Sequence, residues 1–137
     1  MRHGKVCIVV LAGLLAAGCS DEPVGPVPGE TFTLAPGDQV TLSPLGTHVR
    51  FIEVSEDSRC PLRVQCVWAG DGAVVLEVAP RDGDATEHTV HTTEGPDAVI
   101  VGSYELTLLS LSPYPEEPGD IEPADYRAEL VLYERLE

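Results

Sequence analysis

The sequence predicts an all-β domain: a single antiparallel β-sandwich, of the immunoglobulin-like or small-barrel kind, with about eight short strands. Three observations predict it. From Thr31 onward apolar and polar residues alternate at period two, the spacing of side chains along one face of a strand. Pro, Gly and Asp break the alternation at short intervals. No segment reads as a helix longer than the apolar run near the N-terminus.

Taken in order, residues 31–35 place Phe32 and Leu34 on one side of a first strand. The turn Pro36-Gly37-Asp38 follows, and Val40 and Leu42 share a face of the second. Residues 47–54 (THVRFIEV) make a third. Residues 73–79 (AVVLEVA) are apolar on both faces apart from Glu77, which suits a central strand. Asp82-Gly83 is the best short hairpin signal in the chain. The returning strand, residues 85–93, is polar enough for a sheet edge. A Gly95-Pro96 turn leads to short strands at 98–101 and 104–111. The last strand, residues 126–136, directs Tyr126, Ala128, Leu130 and Leu132 inward and Arg127, Glu129, Tyr133 and Arg135 outward. Before it, residues 112–125 (SPYPEEPGDIEPAD) carry four prolines and five acids. Such a segment is expected to form a long exposed loop that neither pairs in a sheet nor buries itself.

The 137 residues fit one domain, and a hydrophobic content of 43% supports a core rather than global disorder. The formal charge is −15, from 23 acidic and 8 basic residues. Arg2 and Lys5 lie in the first five positions. Without residues 1–18, the 23 acids face only six arginines, a formal −17. That balance repels phosphate backbones and anionic lipid, which argues against nucleic-acid binding and against adhesion through a basic patch.

Residues 1–18 read as a signal peptide: a basic start, an apolar run from Val6 to Ala17, and a small-residue exit. As a helix that run covers about 18 Å, short of the roughly 30 Å hydrocarbon core. The exit LAAGC, Leu15 to Cys19, resembles a bacterial lipobox, although Ala16 stands where that pattern prefers Leu. The resemblance implies cleavage before Cys19, acylation of that residue, and a lipid anchor in the cell envelope. Ser20 stands where an Asp marks inner-membrane retention, so the outer membrane is implied if the cell is Gram-negative. Residues 19–30 then form a Pro/Gly-rich tether, and residues 31–137 the β-domain.

Apart from Cys7 in the leader and Cys19, two cysteines remain, Cys60 and Cys66. An even pair in an exported head implies a disulfide, and two thiols alone are too few for a structural metal. The short loop it closes stabilises by roughly 2 to 2.5 kcal/mol in the chain-entropy view. Around it, Asp57, Ser58, Arg59, Cys60, Pro61, Cys66, Trp68, Ala69 and Gly70 resemble a DSRCP…C-x-WAG signature of uncharacterised bacterial secreted domains and lipoproteins. The resemblance spans most of residues 30–136 and implies an extracytoplasmic β-domain without implying an activity. Physically, Asp57 and Ser58 suit a turn or cap, and Arg59 can bridge Glu56 or Asp57 or fork onto a backbone carbonyl. Trp68, two residues after Cys66, would share its face on a strand and cover the sulfurs. The simpler reading is a stapled strand entry that serves folding. The functional reading is a rigid presented loop with Leu62, Arg63 and Val64 at its tip, which could also mimic a protease substrate.

Catalysis is not expected. His88 and His91, three apart on a strand, face opposite ways, and with His48 they read as ordinary surface histidines. No serine lies in a nucleophile elbow. Calcium is the better competitor, with Glu116, Glu117, Asp120, Glu122 and Asp125 as candidate ligands and Asp82 with Asp84 as a lesser pair. Neither set has EF-hand spacing, and a solvated acidic loop is the simpler reading. The sequence therefore points to an envelope lipoprotein whose β-domain binds or supports without catalysis and needs no cofactor. Its partner would be an envelope protein or glycan, met through loops, a sheet edge or a patch near Tyr114 and Tyr133. A calcium module is the alternative.

Overall fold

The structure, a computed structural model, describes residues 25–136. The signal peptide and Cys19 lie outside the described residues. Eight strands run in the order β1 (Thr31–Leu34), β2 (Gln39–Leu42), β3 (Thr47–Asp57), β4 (Gly72–Ala79), β5 (Thr86–His91), β6 (Ala98–Val101), β7 (Tyr104–Ser112) and β8 (Arg127–Glu134). A 3-10 turn, Pro123–Asp125, precedes β8. They form two four-stranded antiparallel sheets, β1-β8-β7-β6 and β2-β3-β4-β5, with one disulfide between Cys60 and Cys66.

The alternation read from the sequence is what builds the core. Val49 and Phe51 of β3, Val74, Leu76 and Val78 of β4 and Val90 of β5 meet Leu106 and Leu108 of β7 and Ala128, Leu130 and Leu132 of β8. β4 is central and β5 is an edge, as their apolar and polar compositions require.

Two strands depart from simple alternation. β3 carries register shifts between Phe51 and Glu53 and between Val54 and Glu56. Without the first, alternation from Phe51 would turn Glu53 inward. The second reverses the phase again, so that Asp57 rather than Glu56 turns towards the space between the sheets. The strand thereby runs three residues past the end expected at residue 54. In β7 a shift between Leu108 and Ser110 lets Leu108 and Leu111 both face the core while Leu109 stands outside.

Two expectations need correction. The proline-rich segment does not stand free: Pro115 is buried and Ile121 packs against the core. Its carbonyls accept bonds from the disulfide loop, since the N–H of Leu62 donates to Pro115 (3.0 Å) and that of Arg63 to Glu116 (3.1 Å). Tyr114 and Tyr133 form no common patch. Tyr114 lies beyond the end of β7, whereas Tyr133 sits near the far end of β8, opposite Glu105. In addition, part of the expected tether docks on the head, with Gly29 N–H donating to Leu132 and Ser43 N–H to Pro26.

Phe51 has no exposure and sits among residues from both sheets. Phe51→Ala should cost about 3–5 kcal/mol, read as a lower urea midpoint with an unchanged slope.

Candidate functional site

The antiparallel registers bring three connections to one end of the sandwich: residues 58–71 between β3 and β4, 92–97 between β5 and β6, and 113–126 between β7 and β8. The disulfide and most of the cysteine motif lie here, and this end is called the disulfide pole.

Its centre is Arg59, only 6% exposed. The guanidinium grips Asp57 with two nitrogens, Nε to Oδ1 at 2.7 Å and Nη2 to Oδ2 at 2.6 Å. Nη1 donates to the carbonyl of Leu111 and Nη2 to that of Pro113. The same group lies over the ring of Tyr114, 5.1 Å from its centroid. Tyr126 completes the set by donating its hydroxyl to Asp57 Oδ2 at 2.9 Å. Of the two acids open to Arg59, the structure uses Asp57, and the guanidinium forks onto carbonyls as well. Burial works against the charge on Asp57, but the bonds from Arg59 and Tyr126 and the Arg59 charge outweigh it and hold its pKa below the usual value. Burial and the neighbouring carboxylate push the Tyr126 phenol up to about 12.

A second carboxylate, Asp71, organises the neighbouring loop. It is 8% exposed. His91 Nδ1–H donates to its Oδ2 at 2.6 Å. Its Oδ1 accepts the Thr92 hydroxyl (3.1 Å) and the backbone N–H groups of Thr93 (2.9 Å) and Glu94 (3.2 Å). Burial raises its pKa, yet these bonds prevail and hold it near 2. His91 is therefore an anchored, half-buried side chain rather than an ordinary edge histidine, and its ring packs on Gly95.

Between the two carboxylates the arms of the cysteine loop pair with each other. Ser58 N–H donates to the Asp71 carbonyl (2.7 Å), the Ser58 hydroxyl accepts the Asp71 N–H (3.1 Å), and Cys60 N–H donates to Ala69 (2.7 Å). Gly70 sits at φ +71°, and a Cβ there would fall 1.8 Å from the Ser58 carbonyl oxygen. Only glycine permits both that conformation and that approach.

Trp68 does not share a strand face with Cys66. Residues 60–70 leave the strand, so the period-two argument does not apply, and Trp68 is 76% exposed. Val67 is 92% and Leu62 72% exposed, with Val64 also at the surface. Pro61 lines a cleft of about 230 Å³ with Arg59, Pro115, Ile121 and Tyr126. The chain matches no family model, no curated protein and no solved structure.

The candidate calcium ligands are dispersed in role. Glu116 and Glu117 reach Arg63 at 3.1 and 3.4 Å, all three well exposed. Asp120 Oδ2 accepts the backbone N–H groups of Glu116 and Glu117. Glu122 and Asp125 are exposed at the 3-10 turn, and Asp82 and Asp84 at the β4–β5 hairpin. Among the described residues no three His, Cys, Asp or Glu side chains lie together as a metal site.

Sequence reasoning missed Asp71 and the partner role of Tyr126. A signal existed for each. Asp71 is an acid immediately ahead of a strand buried on both faces, and Tyr126 is an inward-facing tyrosine whose hydroxyl requires a partner.

Two outcomes are expected. Asp57→Asn leaves Arg59 enclosed without its counter-charge and should cost about 3–5 kcal/mol in urea denaturation. Asp71, with a pKa near 2 against 3.8 when unfolded, adds stability that is full above pH 4 and lost as pH falls towards 2. Asp71→Asn should therefore cost about 2 kcal/mol at pH 7 and flatten stability against pH in that window.

Proposed function

We propose that this chain is a cell-envelope lipoprotein, anchored by lipid on Cys19, whose β-sandwich head binds an envelope partner non-catalytically through its disulfide pole. The observation that carries the reading is the exposure of Leu62, Val67 and Trp68 on one stapled and buttressed loop. A soluble head gains nothing for its own folding from a tryptophan left in water. Trp is also the residue type most often found at the energetic centre of interfaces. Rigid display removes the ordering cost that a floppy loop would meet on binding.

The polar groups at this pole support binding over chemistry. Asp57, Arg59 and Tyr126 satisfy one another, and Asp71 and His91 are joined to each other and to the Thr92–Glu94 backbone. A protease-inhibitor role is less well supported. A substrate mimic must offer its backbone to the enzyme cleft, whereas Leu62 and Arg63 give their N–H groups to the proline-rich loop.

The anchor is tested by labelling producing cells with a clickable palmitate analogue. The chain should take up label and sediment with membranes. Cys19→Ser should abolish the label and release the head into the soluble fraction, and label retained by that variant would overturn the anchor.

A further inference from the structure

The two ends of the sandwich differ in a way that says what the exposed loop meets. β1 pairs with β8 so that Thr31 lies opposite Val131 and Leu34 opposite Ala128. The chain thus enters the head near the end of β8 remote from Arg127 and from the disulfide pole. Residues 26 and 29 are bonded to Ser43 and Leu132, at that same remote end. β3 alone, 11 residues long, separates the two ends by about 36 Å. A head tethered through its N-terminus therefore holds Val67 and Trp68 away from the bilayer that anchors it.

The surroundings of the loop are acidic. Glu94 and Asp97 are exposed on one flank, and the five carboxylates of the proline-rich loop on the other. Two exposed cations stand against these seven carboxylates: Arg63, already engaged by Glu116 and Glu117, and Arg127, whose Nη1 donates to the carbonyls of Ala124 and Tyr126. Arg59 is buried and matched by Asp57. An apolar tip inside an acidic collar is repelled by anionic lipid and by a second copy of a chain that is itself at −17 beyond residue 18.

We infer that the disulfide pole docks a protein whose apolar cleft accepts Val67 and Trp68 and whose rim carries lysine and arginine. This rests on the binding reading above and adds the face and the partner's chemistry. Apolar burial supplies affinity, while the collar sets orientation, association rate and rejection of acidic surfaces.

The test uses the full chain in its producing cell, with the photo-crosslinker p-benzoylphenylalanine in place of Val67, Ile100 or Asp82. These mark the disulfide pole, the exposed β6 edge and the opposite pole. All three positions are exposed, so the fold tolerates the replacement. Position 67 should give a protein adduct of defined mass, and position 82 none. Asp97→Asn, Glu122→Gln and Asp125→Asn together should lower the yield at 67 about tenfold, the low end of electrostatic rate enhancement. A lipid adduct or a self-adduct at 67, or a protein adduct indifferent to those three substitutions, overturns the inference. A protein adduct from position 100 or 82 with none from 67 overturns the face while leaving the binding reading intact. No adduct from any position overturns both.

Discussion

Arg59 is a cation enclosed between two β-sheets, and the disulfide pole is arranged around satisfying it. A guanidinium offers five N–H donors and cannot lose its proton, so burying it requires a matched anion and further acceptors. Asp57 meets Nε and Nη2 in parallel, the carbonyl of Leu111 accepts from Nη1, and that of Pro113 accepts from Nη2 as well. Asp57 stands at the end of one sheet; Leu111 lies near the end of β7 in the other, with Pro113 and Tyr126 just beyond its strand ends. One side chain thus bridges the two sheets at this pole, and fixes the start of the proline-rich loop as it does so. Removing either charge leaves its partner uncompensated, which is why the pair matters more than its own net stabilisation suggests.

Between Phe51 and Asp57 two bulges in β3 shift the phase of the strand and then restore it, so that Phe51 and Asp57 face inward while Glu53 does not. A strand with strict alternation offers every second residue to the core, and the sequence from Phe51 to Asp57 does not have apolar residues at those intervals. Each inserted residue resets the phase, first to spare Glu53 and then to aim Asp57. Here the bulges convert a poor core sequence into the support for a polar network. β7 solves the same problem once, at Leu109, and its end then supplies the Leu111 carbonyl.

This explains which parts of the architecture were legible in the sequence. Strands without a register shift, such as β4, apolar on both faces, and β8, which alternates, could be read to within two residues of their ends. The disulfide followed from the even pair of cysteines in a head expected to be exported. The end of β3 could not be read, since a bulge looks like an alternation error until the partner strand is known. The exposure of Trp68 was misjudged because strand periodicity was carried into a stretch that is loop. Arg59 was legible as a cation needing acids and carbonyls, yet Asp71, Tyr126 and the docked Pro115 depend on pairings more than 10 residues apart in sequence, as in the separation of 69 between Tyr126 and Asp57. Local pattern does not encode those distances.

The disulfide by itself does not explain the display. It closes residues 60–66, whereas Val67 and Trp68, the apolar residues most exposed in this loop, lie outside the ring it makes. They are held from the other side, by the Cys60–Ala69 backbone bond and by Gly70, whose left-handed conformation turns the chain back against Ser58. Ser58 is fixed because its neighbours Asp57 and Arg59 are locked between the sheets, and Asp71 because His91 and the 92–94 loop surround its carboxylate. The pose of Trp68 therefore depends on two buried carboxylates and a glycine as well as on the staple. A motif serving only to close a strand end would need the staple and the ion pair. The further outlay on Gly70 and Asp71 is accounted for when the residues they hold in place, Val67 and Trp68, are what the loop presents.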